Sequence, residues 1–173
     1  MKTIAANLRG DATVGESVEM PWPRLERDLQ LHTKELALVA GAPGAGKSVF
    51  ALNVGMALDA PVLYLAQDSA PSVFARVAAL ALGEDISYIY DSMRHAERKQ
   101  KIIDQLEDAY PDLFIHAGAL TVESMEARLI ALEEVLGQAP QLVIIDNLID
   151  TIVPGHHHQE IGFYASSLNE LKQ

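Results

Sequence analysis

Gly41-Ala42-Pro43-Gly44-Ala45-Gly46-Lys47-Ser48 follows the spacing G-x-x-x-x-G-K-[ST] in full. Each residue type has a chemical use at its position. The glycines permit backbone angles and close approaches that a Cβ would obstruct. The turn can then aim successive N–H groups at phosphate oxygens, and the start of a following helix adds a favourable dipole. Lys47 supplies positive charge for β- and γ-phosphates, and Ser48 offers a hydroxyl ligand to Mg²⁺. Val49 closes the stretch read as nucleotide-binding.

Two carboxylates stand where such a site needs them. Gln141-Leu142-Val143-Ile144-Ile145-Asp146 is an apolar run ending in an acid. A carboxylate at the C-terminal end of a buried strand lies where open α/β sheets bind ligands, and it can hold Mg²⁺ through a coordinated water. Hydrolysis also needs a group that takes a proton from the attacking water. Asp68 closes VLYLAQD and is expected at the same edge, as general base beside Lys47. A register one residue earlier puts Gln67 there instead, which orients water but accepts no proton.

These residues require strands and helices in alternation. ELALVAG (35–41), APVLYLAQD (60–68), DLFIHAG (112–118) and QLVIIDNL (141–148) are short apolar runs, as expected of strands buried on both faces. KSVFALNVGMAL, PSVFARVAALAL and AERKQKIIDQLEDAY carry apolar residues at helical spacing, and Thr121 with Ser124 starts a further helix to about 137. A loop with Pro154 and Gly155 follows, then an amphipathic helix, QEIGFYASSLNELK. The alternation predicts an α/β fold with right-handed crossovers and a parallel sheet. Residues 1–20 lack periodicity and read as a mobile arm; 21–173 form the core.

The 173 residues suit one domain, with 49% hydrophobic and 21% charged residues. Absence of cysteine excludes disulfides and thiolate zinc sites and suits a reducing cytoplasm. No apolar run approaches the roughly 20 residues that span a bilayer, and the first residues do not read as a signal peptide. The net charge of −11 argues against a surface that grips nucleic acid all over, though not against a few DNA-binding loops.

A P-loop, an acid on the next strand and an apolar strand ending in Asp together resemble the RecA-like core of DnaB-type ring helicases. Leu65-Ala66-Gln67-Asp68-Ser69 stands where that family has a phrase such as FSLEM, so Asp68 is one methylene shorter than the usual Glu. VIIDNLID is similar to the second-strand motif of RecA-like helicases from phages of actinobacteria. WPRLERDLQLHTKELALVAG resembles the lead-in to DnaB-like cores but lacks its paired glycines, and QEIGFYASSLNELKQ is similar to the helix before the next core strand. The resemblance covers about residues 20–173.

The resemblance implies a three-layer RecA-like fold and Mg²⁺-dependent ATP hydrolysis. It also implies a homo-oligomeric ring, a hexamer in this family, and single-stranded DNA as partner in a bacterial cytoplasm. In that fold the next strand carries a sensor for the γ-phosphate and lies between the P-loop strand and the strand ending at Asp146. No such strand precedes Gln173, so the chain is expected to be the N-terminal portion of a longer ATPase, with the sensor and arginine finger beyond it. The alternatives are a RecA-like recombinase and a KaiC-like regulatory ATPase that does not bind DNA.

His156, His157 and His158 are adjacent, so they do not converge on a metal as residues one helical turn apart do. Arg94, Arg98, Lys99 and Lys101 decorate an exposed helix face, and Trp22 packs the N-terminal segment.

Overall fold

The structure, a computed structural model, describes residues 15–146. The loop expected over 151–158, with its three histidines, the helix expected beyond it and residues 1–14 of the arm lie outside the described residues.

The described chain opens with a small antiparallel pair. β1 (Ser17–Val18) pairs with β2 (Leu31–His32), setting Ser17 opposite His32 and Val18 opposite Leu31. Between them α1 (Pro23–Asp28) starts on a proline, tolerated there because a first-turn N–H has no helical acceptor. Val18 and Met20, at the end of the expected arm, are buried.

The α/β body comprises α2 (Lys47–Ala57), β3 (Val62–Ala66), α3 (Ala70–Leu82), α4 (Ile86–Ser92), α5 (Ala96–Ala109), β4 (Leu113–Ala117), α6 (Val122–Leu136) and β5 (Leu142–Asp146). Among the described residues its parallel sheet has three strands, in the order β4-β3-β5. From β3 the chain moves one way to β4 through α3, α4 and α5, then returns past β3 to β5 through α6. Crossovers of one hand that travel in opposite directions leave their helices on opposite faces. That is the observed arrangement. On one face Tyr64 and Ala66 pack with Leu52 of α2 and with Val73 and Val77 of α3. On the other, Leu63 and Leu65 pack with Leu120 and with Met125 and Leu132 of α6. Ile89 of α4 and Ile102 of α5 pack against Ala75 and Ala78, on the side of α3 turned from the sheet.

Local chemistry sets the boundaries. Thr121 caps α6 by accepting from the Ser124 N–H while Ser124 Oγ accepts from the Thr121 N–H, and Gly137 ends the helix at a φ of 71°. Gly83 does the same for α3 at 66°. No helix among the described residues is long and apolar enough to cross a membrane.

One expected strand is absent. Residues 35–41 take no regular structure, and Leu36, Leu38 and Val39 are exposed, Leu38 to 71%. A strand is held by the ladder of its neighbours. None of the described residues supplies a ladder to 35–41, and β5 pairs only with β3 among them. The strand expected between the two is not among the described residues.

Candidate functional site

Residues 41–46 form a glycine turn that leads into α2. Gly44 and Gly46 take φ of 78° and 86°, angles that a Cβ disfavours, and Gly46 leads into α2. The Ala45 N–H donates to Ala42 O at 3.1 Å, closing the turn. Lys47 Nζ folds back over it, donating to Gly41 O at 3.0 Å and Ala42 O at 3.1 Å. Residues 41–46 are exposed, whereas Lys47 and Ser48 are half-buried at the head of α2.

Helix direction brings this turn toward the carboxylates. Near the C-terminal end of α2, a Cβ on Gly55 would lie 3.2 Å from Val62 Cγ1, at the start of β3, and 3.1 Å from Ile144 Cδ1. One turn earlier Leu52 packs with Tyr64 and Ala66, nearer the end of β3. The helix therefore runs against the strands, and its first residues are carried toward their carboxyl ends.

Strand parity places Asp146 on the same face. Tyr64 lies opposite Ile144 and Ala66 opposite Asp146, and alternate residues share a face. Tyr64 and Ile144 both face α2 and α3, so Asp146 does as well. The Tyr64 hydroxyl donates to Asp146 Oδ2, and the Asp146 backbone oxygen accepts from the Gln67 N–H at 2.9 Å. Burial above all, and then the Asp146 hydrogen bond and charge, raise the Tyr64 pKa above the ordinary phenol range. The phenol thus stays a proton donor to this carboxylate.

Asp68 lies just past β3 at the same edge and is exposed, but it is engaged. Arg76 Nη2 donates to Asp68 Oδ2 at 2.8 Å, and Arg76 Nη1 stands 3.9 Å from Asp146 Oδ2. Burial pulls the Arg76 pKa down, but the hydrogen bond and charge of Asp68 more than offset it, and the pKa is raised. The structure thus joins both expected carboxylates through Arg76, which sequence reasoning missed. A signal was present: Arg76 is the sole charged residue between Ala70 and Leu82, in a helix otherwise suited to a core. A charge in such a helix needs an anion.

A hydroxyl, a carboxylate and phosphate oxygens are hard ligands of the kind Mg²⁺ prefers, and Mg²⁺ is usually held by one or two protein groups with its waters and a phosphate. Ser48 and Asp146 fit that role. No group of three or more acidic or histidine side chains able to hold a metal by themselves occurs among the described residues. An apolar groove of about 460 Å³ between α3, α5 and β4, lined by Phe74, Ile103 and Leu106, holds none of the expected site residues.

No protein-family model matches the chain. It is similar to the Gene 65 protein of Mycobacterium phage L5, with 27% identity over 143 residues, covering 82% of this chain and 52% of that protein. It is also similar to the Gene 65 protein of Mycobacterium phage D29, at 26% over 114 residues, covering 65% of this chain and 49% of that one. The chain spans about half the length of these relatives.

Proposed function

We propose that the chain is a RecA-like P-loop ATPase that binds ATP at residues 41–49 and belongs to the motor of a DnaB-like DNA helicase in phage DNA replication. The observation that supports this reading is the glycine turn over 41–46 at the head of α2, on the sheet face to which Asp146 is turned. Both phage relatives agree with the proposed setting, the cytoplasm of a bacterial host.

The residues divide the work. Backbone N–H groups of the turn bind phosphate oxygens. Lys47 leaves the Gly41 and Ala42 carbonyls and pairs with the β- and γ-phosphates. Ser48 and Asp146 would hold Mg²⁺, which would supply positive charge beside the phosphates. Asp68 takes the proton of the attacking water once its oxygen is released from Arg76. In a homo-oligomeric ring, a hexamer on this reading, the cycle moves single-stranded DNA, with the DNA contacts mostly outside or at the end of this chain.

The acidic balance, −11 overall, favours a second reading: a regulatory ATPase that switches protein partners without touching DNA. One experiment separates the readings. ATP turnover and unwinding of a forked duplex are measured with and without single-stranded DNA. Stimulation with unwinding supports the helicase, and unstimulated turnover supports the regulator. Equal affinity of wild type and Lys47→Ala for a fluorescent ATP analogue sinks both.

A further inference from the structure

Arg76 stands between the two carboxylates of the candidate site. Its side chain is only 26% exposed, on the sheet-facing side of α3 between Val73 and Val77. Nη2 is anchored on Asp68 at 2.8 Å, whereas Nη1 is buried, has no hydrogen-bond partner among the described residues and stands 3.9 Å from Asp146 Oδ2. A buried guanidinium N–H without an acceptor is costly, and a nearby charge offsets that cost only in part. The group is held firmly at one end and only by attraction at the other.

We infer that Arg76 is the resident counter-cation of the Asp68–Asp146 pair, and that it couples metal binding to nucleotide binding by giving up Asp146 to the metal and turning Nη1 to a phosphate oxygen. The inference rests on the ATPase reading for its nucleotide and on the geometry alone for its cation. A divalent ion held by Asp146 would lie beside the guanidinium, whose Nη1 is 3.9 Å from Asp146 Oδ2, and neighbouring like charges repel strongly in a half-buried site. Metal alone therefore binds weakly. A triphosphate brings the negative charge that removes the repulsion, and it supplies the acceptor that Nη1 lacks. Arginine suits both partners, since its planar fork serves a carboxylate with one nitrogen and a phosphate with the other. It acts on Asp146 as a positioning residue, and the site fills with metal and nucleotide together.

The test measures Mn²⁺ binding to the chain by electron paramagnetic resonance, with and without a non-hydrolysable ATP analogue, alongside thermal melting. Without nucleotide, Arg76→Met is expected to bind Mn²⁺ at least about tenfold more tightly than wild type, the order expected from removing one adjacent charge. That gain disappears in Arg76→Met combined with Asp146→Asn, which separates this site from the acidic surface. The factor by which nucleotide raises Mn²⁺ affinity falls by a similar amount in Arg76→Met, because the repulsion that nucleotide relieves is then already gone. Arg76→Lys keeps the charge, so it binds Mn²⁺ alone like wild type, but without the fork it loses part of the nucleotide coupling. A folded Arg76→Met with wild-type Mn²⁺ affinity overturns the inference. If Arg76→Met does not fold, Arg76→Lys decides, and unchanged coupling in it overturns the inference. If wild type binds no nucleotide, the ATPase reading fails, while the comparison with Mn²⁺ alone still decides the place of Arg76.

Discussion

Tyr64, in the middle of β3, donates its hydroxyl hydrogen to a carboxylate oxygen of Asp146 at the end of β5. The tyrosine is completely buried, so its ring belongs to the core while its oxygen belongs to the site. Strand pairing fixes both partners, and the phenol orients the acid before any ligand arrives.

Tyr64→Phe keeps the ring and deletes the donor, leaving Asp146 short of a partner. A stability loss of about 1–3 kcal/mol is expected in urea titrations. The pH dependence has a definite sign. Burial raises the folded pKa above the unfolded value of about 10, so above that pH the unfolded chain loses the proton while the folded chain keeps it. Stability from this group is complete below about pH 10 and declines as pH rises further, by at most about 1.4 kcal/mol per unit. Wild type should therefore lose stability more steeply than Tyr64→Phe between pH 10 and 12. Parallel curves would show that this phenol is not the titrating group.

Lys47→Ala should weaken ATP binding by about 10- to 100-fold, the loss expected from one charge-assisted contact. The loop itself should persist, since its turn is closed by the Ala45–Ala42 backbone bond and by Gly44 and Gly46. Isothermal titration gives the affinity, and an unchanged melting temperature confirms that the lost contact is local.

Asp68→Asn should leave nucleotide binding largely intact and lower turnover by about 10²–10⁴-fold, as loss of a general base does. The ion pair with Arg76 adds little to stability, because Asp68 is 58% exposed and such pairs contribute about 0–1 kcal/mol. Gln67→Ala is the companion variant. A harmless Asn at 68 with a damaging Ala at 67 would move the water-orienting role to Gln67.

Trp22, the sole tryptophan, stacks on Phe50 with ring centroids 5.3 Å apart and planes 12° from parallel. Phe50 lies in the first turn of α2, and its N–H donates to Gly46 O at 2.8 Å. Intrinsic fluorescence should therefore change as nucleotide saturates the loop, with the same midpoint as calorimetry, and Trp22→Phe should abolish the signal. Saturation by calorimetry without any fluorescence change would show that the stack does not sense the loop.

Much of the architecture was legible because its signals are local. The P-loop glycines, the apolar runs that became β3, β4 and β5, and the Thr121–Ser124 cap each act within a few residues of themselves. Asp68 and Asp146 could be placed at one edge because both end strands of a parallel sheet. Tertiary structure decided the rest. Residues 35–41 have the composition of a buried strand, yet strand structure depends on a neighbour, and none of the described residues pairs with them. Trp22 found Phe50 rather than solvent through the fold of residues 15–34, which carries no periodic signal. Arg76 and Tyr64 were visible as residue types, but their partner Asp146 is 70 or more positions away in sequence. That meeting depends on β5 lying beside β3 with Ala66 opposite Asp146, and on α3 crossing the same face. Periodicity specifies which side of an element is apolar, but only the strand order specifies which charged ends share an edge.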